Sequence, residues 1–165
     1  GLLRGNVDTR LRRVREGTFD ATLLAAAGIA RLGVETGDLA VTELDPWSFV
    51  PAAGQGALGI TALLEADVVR ETLLSIHDEL ASIAVETERA VARALGGSCD
   101  LPLGVFARSH PDGMEAVAVV VSSDGGRLLR HEVRGPMSCA VELAAELAAR
   151  LRAEGAMALL ERRGS

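Results

Sequence analysis

The first part of the chain changes from a helical period of hydrophobic and polar positions to a continuous apolar run. Residues 8–17 ("DTRLRRVREG") have helical spacing, with Asp8 or Thr9 as the expected capping residue and Gly17 at the end. Residues 20–26 form a short, mainly apolar run, which is typical of a strand buried on both faces of a sheet.

A short helix is expected after this run, from Gly28 to about Gly33, because glycine is favoured just beyond helix ends. Helix, buried strand and helix in succession indicate an α/β arrangement with a parallel or mixed sheet. Because only one strand of such a sheet is visible, we interpret residues 1–45 as part of an α/β lobe.

Residues 45–63 ("DPWSFVPAAGQGALGITAL") lack a helical period and contain several prolines and glycines. Proline and glycine at this density favour extended chain. We therefore interpret residues 46–63 as a crossing or hinge segment. A candidate helix follows over residues 65–80. A clearer helix is predicted over residues 82–95, with charges on one side and these apolar positions on the other: Ile83, Ala84, Val91 and Leu95.

The last third of the chain predicts a three-stranded antiparallel meander. Its strands are "LGVFARS", "MEAVAVVVSS" and "RLLRHEVRG", joined by turn sequences at residues 110–113 and 124–126. The stretch of residues 138–156 closes the chain as an amphipathic helix, with Gly155 as the expected C′ residue and an apolar stripe of Leu143, Leu147 and Leu151. Residues 64–165 are thus expected to form a small α+β domain with a three-stranded sheet.

Composition narrows the function classes. The chain has 165 residues, of which 48% are hydrophobic and 2% aromatic, and its net charge is −6. An acidic chain with so few aromatic side chains is a poor nucleic-acid partner. No apolar run is long enough to span a membrane, and the first residues lack a secretory signal, so a cytoplasmic location is expected. The chain has no lysine, which excludes a lysine Schiff base and leaves arginine to bind anions.

Two cysteines are candidates for chemistry. Cys99 lies in the glycine-rich turn "GGSCDLPLG", between a predicted helix and a predicted strand. A buried structural thiol and an exposed reactive thiol are both compatible with this position, and the neighbouring glycines favour exposure. Cys139 begins a helix and is interpreted as facing the core. The histidines have no metal-ligand spacing: His77, His110 and His131.

Three arginines in the first segment stand at positions where α/β proteins gather anions. Arg4 precedes the first helix, Arg10 lies in its first turn, and Arg31 lies in the helix after the apolar run. Guanidinium groups at such places can hold carboxylates bidentately. From spacing alone, the alternative that they are solvated surface charges stays open.

Taken together, these stretches resemble the porphobilinogen deaminase family, also called hydroxymethylbilane synthases. The motifs "RGNVDTRL", "DATLLAAAGIARLG", "PAAGQGALGI" and "ERAVARALGGSCDLPLGVFA" occur in the family's order, and the similarity covers essentially the whole chain. The resemblance implies tetrapyrrole (porphyrin and heme) biosynthesis, in which four porphobilinogens are joined head to tail with release of ammonia. It also implies three domains, two of them like periplasmic binding-protein lobes.

The resemblance assigns parts of this chain to those domains. Residues 1–45 match part of the second lobe, residues 46–63 a crossing segment that belongs to the first lobe, and residues 64–165 the C-terminal domain with the cofactor cysteine. The cofactor is a dipyrromethane held by a thioether on Cys99. The other residues implied to bind it or the growing oligopyrrole are Arg4, Arg10, Arg31, Gln55 and Gly56.

The chain departs from the family pattern in two ways. Ser98 stands where a second glycine usually precedes the cysteine. The segment with the family's catalytic aspartate has no counterpart, since neither Asp8 nor Asp20 corresponds to it, so no catalytic residue is assigned here. We interpret the chain as the C-terminal half of the family pattern.

Three hypotheses follow from this interpretation. The first is that the deaminase activity belongs to a complete enzyme of which this chain is a part. The second is a non-catalytic module that associates with a missing N-terminal half or a second copy. Because apolar edges of residues 1–62 are expected to lack partners, that segment is predicted to be mobile, rearranged or packed against such a copy. The third, a cysteine hydrolase using Cys99, lacks a histidine partner placed by the sequence.

Overall fold

The fold was analysed in a computed structural model of the chain, which describes residues 1–97 and 101–161. The chain divides into two compact units, an N-terminal unit of Gly1–Leu44 and a C-terminal unit of Asp45–Ser165. The assignment of residues 1–45, 46–63 and 64–165 to three family domains stays a prediction.

The N-terminal unit begins with helix α1 (Val7–Arg15), which confirms the helix predicted from the spacing. Its capping residue is Asn6, whose side-chain oxygen accepts the Thr9 backbone N–H at 2.9 Å. The expectation of Asp8 or Thr9 as the cap was wrong, because the helix starts one residue earlier and Asp8 lies inside its first turn. Asparagine satisfies a free helix N–H equally well.

Helix α2 (Ala26–Leu32) is the second helix of this unit, and it ends at Gly33 with a φ of +57°, as predicted. The buried strand expected over residues 20–26 was wrong. Residues 21–25 are irregular, Leu23 is 65% exposed, and no strand occurs in the N-terminal unit. An apolar run becomes a strand only where a neighbouring strand accepts and donates its backbone hydrogen bonds. The described residues of this unit supply no such neighbour.

The C-terminal unit contains four α-helices: α3 (Asp67–Leu74), α4 (Glu79–Ala94), α5 (Ala140–Ala153) and α6 (Ala156–Glu161). Asp78 caps α4 by accepting the Ala81 N–H at 3.0 Å. A 3₁₀ turn (Met137–Cys139) leads into α5, and Gly155 follows α5 with a φ of +89°, the position predicted for it. No helix of the described residues combines the length and apolarity needed to cross a membrane.

Three antiparallel strands form the open sheet of this unit, which confirms the predicted meander. They are β1 (Leu103–His110), β2 (Gly113–Val121) and β3 (Leu128–Gly135), in the order β1-β2-β3. Across the sheet, Ala107 pairs with Ala116, which pairs with Val133. The helices and this sheet establish an α/β fold at the coarse level. The periplasmic-binding-protein-like lobe stays a prediction.

The core lies between one face of the sheet and helices α4, α5 and α6. Alternate β2 residues point into it, as the period of two requires. The predicted α5 stripe is confirmed, since Leu143, Leu147 and Leu151 are all buried. Cys139 is half-buried and packs against this core, in line with its interpretation. Helix α6 was not anticipated, and it adds Leu159 and Leu160 to the same core.

The segment before residue 52 covers the outer edge and part of the second face of the sheet. The Val105 N–H donates to the Pro51 carbonyl at 2.8 Å, and the rings of Trp47 and Phe106 meet edge to face with centroids 6.5 Å apart. Gly104 allows this approach, because a Cβ there would lie 2.7 Å from the Val50 carbonyl oxygen. An unpaired strand edge is thereby covered.

Candidate functional site

Cys99, the candidate anchor, lies outside the described residues, as do its neighbours Ser98 and Asp100. The structure does describe the two stems of the loop that carries it. The preceding stem is the end of α4 with the buried Leu95, followed by Gly96 and Gly97 at φ +115° and +64°. Side chains rarely adopt such φ values, so this stem requires glycine. The exposure of Cys99 stays a prediction.

The second candidate element is a turn formed by residues 52–56. The Gln55 N–H donates to the Ala52 carbonyl at 3.1 Å, and the Gln55 side-chain oxygen accepts the Ala52 N–H at 3.3 Å. Gly54 has a φ of +73°, and Gly56 is exposed with open space beside it. The side-chain carbonyl oxygen of Gln55 thus accepts a hydrogen bond within its own turn. The Gln55 amide NH₂ makes no hydrogen bond within the described residues.

Glu88, on α4, connects this turn to the sheet. One carboxylate oxygen accepts the Gly54 N–H at 2.6 Å, and the other accepts the Ala107 N–H at 2.9 Å. The residue is only 6% exposed. Burial raises the pKa of Glu88, while the hydrogen bonds from the two backbone N–H groups act in the opposite direction. We name this arrangement of Glu88 and its two backbone donors the Glu88 clamp.

The sequence analysis placed all charges of residues 82–95 on the solvent side of the helix, and this was wrong for Glu88. The correction follows from helix geometry, since position 88 lies four residues after Ala84 and three before Val91, on the same face. An acidic side chain within a predicted apolar stripe was therefore a readable signal. Burial is tolerated because the carboxylate has two hydrogen-bond donors.

In the N-terminal unit, Arg4 and Arg10 lie at the start of α1. The Arg10 Nε donates to the Gly5 carbonyl at 2.9 Å, which holds the half-buried Arg10 side chain beside the residue that follows Arg4. Arg4 is exposed. The fold therefore brings these two predicted site residues to one end of one helix.

Arg31 lies in the last turn of α2 and is exposed. Within the described residues, no hydrogen bond or ion pair joins it to Arg4 or Arg10. None of these three guanidinium groups has an acidic side chain at ion-pair distance among the described residues. Arg13 of α1, to which no role was assigned from the sequence, also has no acidic partner among the described residues.

Arg15 is the contrasting case. Its Nε and one terminal nitrogen bind the two Asp38 oxygens at 2.6 and 2.9 Å, and the terminal nitrogen also donates to the Glu35 carbonyl at 2.9 Å. The hydrogen bond from Arg15 lowers the pKa of Asp38. Arg15 is thus a structural residue that ties α1 to the end of this unit. The sequence analysis did not identify the pair, because its partners are 23 residues apart.

A cleft of about 310 Å³ also lies in the N-terminal unit. It is lined mainly by apolar side chains and backbone: Gly1, Leu3, Phe19, Ala21, Thr22 and Leu23. None of the three candidate arginines lines it. The cleft therefore does not belong to the predicted carboxylate site.

Two family models match the chain. Residues 2–71 match "Porphobilinogen deaminase, dipyromethane cofactor binding domain", and residues 82–153 match "Porphobilinogen deaminase, C-terminal domain". Together they span nearly all of both units. The resemblance drawn from the sequence motifs is thereby confirmed, and the first model is named for the same cofactor that the resemblance implies.

Similar proteins from bacteria and an archaeon extend this result. The chain is 42% identical to a porphobilinogen deaminase of Paraburkholderia phymatum, over 94% of this chain and 48% of that protein. It is 43% identical to a porphobilinogen deaminase of Methylobacillus flagellatus, over 96% of this chain and 50% of that protein. It is 41% identical to a probable porphobilinogen deaminase of Methanocella arvoryzae, over 96% of this chain and 51% of that protein. The chain spans about half the length of the curated relatives it matches.

Proposed function

Because the chain belongs to the porphobilinogen deaminase family, we propose that it carries the cofactor anchor and part of the carboxylate-binding surface of such an enzyme. The activity proposed for the whole protein is hydroxymethylbilane synthesis, a transferase reaction of tetrapyrrole biosynthesis. Four porphobilinogens are joined head to tail in it, with release of ammonia.

The dipyrromethane would be held by Cys99 through a thioether, with Arg4, Arg10 and Arg31 binding its carboxylates and those of the growing oligopyrrole. When bound, the cofactor supplies the pyrrole carbon to which the first substrate is joined. Gln55 and Gly56 would face the same chain of pyrroles. In this proposal the residues of the chain anchor and orient the substrate, and the proton-transferring carboxylate is not among them.

The observation that carries this proposal is the contrast between the arginines of the N-terminal unit. Arg15 is bound bidentately by Asp38, whereas Arg4 and Arg31 are exposed and without an acidic partner in the described residues. A guanidinium group without an internal carboxylate is available for an external one.

The chemistry of the residues present fits the implied cofactor. Each pyrrole of the family's substrate brings two carboxylates, and the candidate donors are guanidinium groups, which match carboxylates in charge and planar geometry. The Gln55 amide adds an uncharged donor on an exposed turn. The donor set of the described residues therefore suits an acidic oligopyrrole.

Further parts of the proposal concern fold, location and partners. We propose that residues 1–45 form part of a periplasmic-binding-protein-like lobe and that the protein works in the cytoplasm. Its partners would be porphobilinogen, the growing oligopyrrole, and either an N-terminal half or a second copy of this chain. The exposed side chains of Leu2, Leu23 and Leu32 support a partner for the N-terminal unit.

Intact-mass analysis after incubation with porphobilinogen tests the anchor. The purified chain, mixed with the N-terminal half of a relative, is expected to gain the mass of two pyrrole units, and Cys139→Ser is expected to gain the same mass. Cys99→Ser is expected to gain none. A Cys99→Ser variant that gains the dipyrrole mass like the parent would overturn the assignment of the anchor.

Turnover is tested separately, by measuring hydroxymethylbilane formation by the 165-residue chain alone and after mixing with the N-terminal half of a relative. Product formed only in the mixture would support a partner-dependent enzyme. Product formed by the chain alone would overturn the proposal that another polypeptide is needed.

A further inference from the structure

We propose that Glu88 is a positioning residue, which holds the two stems of the Cys99 loop and the Gln55 turn in one fixed arrangement. This inference rests on the proposed function, because it gives Glu88 a role in presenting the cofactor anchor. It adds a residue that neither the sequence motifs nor the family descriptions assign.

The position of Glu88 relative to the loop supports this role. In the sequence, Cys99 lies between α4, which carries Glu88, and β1, which contains Ala107. The bond from the Ala107 N–H to Glu88 at 2.9 Å therefore links one stem of the loop directly to the other. Any sliding of β1 along α4 would break this bond and shift both ends of the loop.

Glu88 also occupies part of the outer edge of β1. Within the described residues, β1 has a strand neighbour on only one side, β2. Of its N–H groups on the other side, that of Val105 donates to the Pro51 carbonyl, and that of Ala107 donates to Glu88. The Glu88 carboxylate thus takes the place that the carbonyl of a further strand would occupy.

Glu88 also contacts the Gln55 turn. The second Glu88 oxygen accepts the Gly54 N–H at 2.6 Å, one residue before Gln55. The turn also packs directly on α4, since a Cβ at Gly54 would lie 3.6 Å from both Val85 and Arg89. One carboxylate therefore fixes the Gln55 turn relative to both stems of the loop.

Burial makes this arrangement sensitive to substitution. Glutamine at position 88 keeps the shape of the side chain but replaces one accepting oxygen with an NH₂ donor. Either the buried Ala107 N–H or the part-buried Gly54 N–H then loses its acceptor and faces another donor, which is costly away from water. Aspartate keeps the charge, but its side chain is one methylene shorter and cannot reach Gly54 and Ala107 together.

The experiment compares the wild-type chain with Glu88→Gln, Glu88→Asp and the matched control Glu86→Gln, which removes an exposed carboxylate from the same helix. Far-ultraviolet circular dichroism and urea unfolding first establish which variants are folded. The rate of dipyrrole attachment to Cys99 is then measured by intact mass over a range of porphobilinogen concentrations, in the presence of the N-terminal half of a relative. Hydrogen–deuterium exchange is followed in residues 51–56 and 103–107.

For folded Glu88→Gln we expect attachment to be slower by about tenfold or more, with half-saturation by porphobilinogen unchanged within about twofold. Exchange in both segments should be about tenfold faster, while α5 should exchange as in the wild type. Glu86→Gln should match the wild type throughout. If Glu88→Gln does not fold, the same measurements on Glu88→Asp test the proposal, and slower attachment with faster exchange is again expected.

Each contrary outcome has a separate meaning. A folded Glu88 variant that attaches the dipyrrole at the wild-type rate would overturn the positioning role. Unchanged exchange in both segments would overturn the Glu88 clamp itself, whatever the attachment rate. Faster exchange in the variant, together with a wild-type chain that gains no pyrrole mass even when it is mixed with the N-terminal half of a relative, would support the clamp and overturn the proposed function.

Discussion

The indole N–H of Trp47 donates to the Glu132 carboxylate at 3.1 Å, across 85 residues of sequence. Arg130 completes the link, because it pairs with Glu132 at 2.6 Å and also donates to the Trp47 carbonyl at 2.9 Å. The Arg108 guanidinium lies 4.9 Å from the centre of the Trp47 ring. These contacts fasten the start of the C-terminal unit to the face of the sheet opposite the helices.

Replacing Trp47 with alanine is therefore expected to destabilise the C-terminal unit. The substitution removes a half-buried aromatic ring, its hydrogen bond and its contact with Arg108, with an expected loss of about 2–3 kcal/mol. Urea unfolding followed by circular dichroism measures the change. Phe49→Ala is the matched control, since Phe49 is 56% exposed and its loss should cost under about 0.5 kcal/mol. Equal effects of the two substitutions would contradict this assignment.

Gly104→Ala is expected to separate the chain around Val50 from β1. A new Cβ would lie 2.7 Å from the Val50 carbonyl oxygen, and this backbone atom cannot move away without moving the whole segment. The expected destabilisation is about 1–3 kcal/mol, with faster exchange of the Val105 N–H. Gly59→Ala serves as the control, because nothing lies near its missing Cβ. An unchanged unfolding midpoint for Gly104→Ala would show that this packing is not required.

Substitutions of Arg4 and Arg31 by glutamine are expected to weaken porphobilinogen uptake without loss of stability. Both side chains are exposed and make no ion pair within the described residues, so their removal leaves the N-terminal unit intact. Half-saturation in the intact-mass assay should rise about three- to tenfold for each. Arg13→Gln tests charge alone, since Arg13 is an exposed arginine of α1 with no assigned role. The same loss of affinity in Arg13→Gln would argue for a general charge effect.

The raised pKa of Glu88 predicts how stability depends on pH. Burial favours the protonated carboxyl in the folded chain, so the folded pKa lies above the ordinary value of 4.5. A raised folded pKa contributes stability that is fully present below the unfolded pKa and is lost as the pH rises through the folded pKa. Glu88→Gln lacks this contribution at every pH.

The free energy of unfolding of the wild type, minus that of Glu88→Gln, should therefore decrease as the pH rises from below 4.5 through the folded pKa of Glu88. Urea unfolding of both proteins at a series of pH values provides the measurement. Glu86→Gln, which removes an exposed carboxylate of the same helix, corrects for the general effect of charge. A difference that increases with pH would mean that the two backbone donors lower the pKa of Glu88 more than burial raises it.

The C-terminal unit was largely predictable because its signals are local. Strand alternation and turn residues placed β1, β2 and β3, and the leucine stripe of α5 identified its buried face. The run at residues 20–26 failed for the opposite reason. Its apolar composition was read correctly, but a strand needs a partner that local composition cannot provide.

The candidate site divides in the same way. The motif order around "GGSCDLPLG" and "PAAGQGALGI" was sufficient to identify the family and to propose Cys99, Gln55 and Gly56. Glu88 was missed, although its place in the apolar stripe of α4 was visible in the sequence. The position of Glu88 in this stripe indicated burial. The hydrogen-bond donors that make burial of a carboxylate acceptable come from Gly54 and Ala107, which are distant from Glu88 in the sequence.

The sequence by itself determined the helices and strands whose periods are strong, the family, and the residue types available to bind an acidic ligand. Only the tertiary structure decided which charged groups are already used within the fold. It paired Arg15 with Asp38, left Arg4 and Arg31 without an acidic partner in the described residues, and buried Glu88 against two backbone donors. The physical reason is that a buried or paired charge depends on groups 19 to 34 residues away, which only the folded chain brings together.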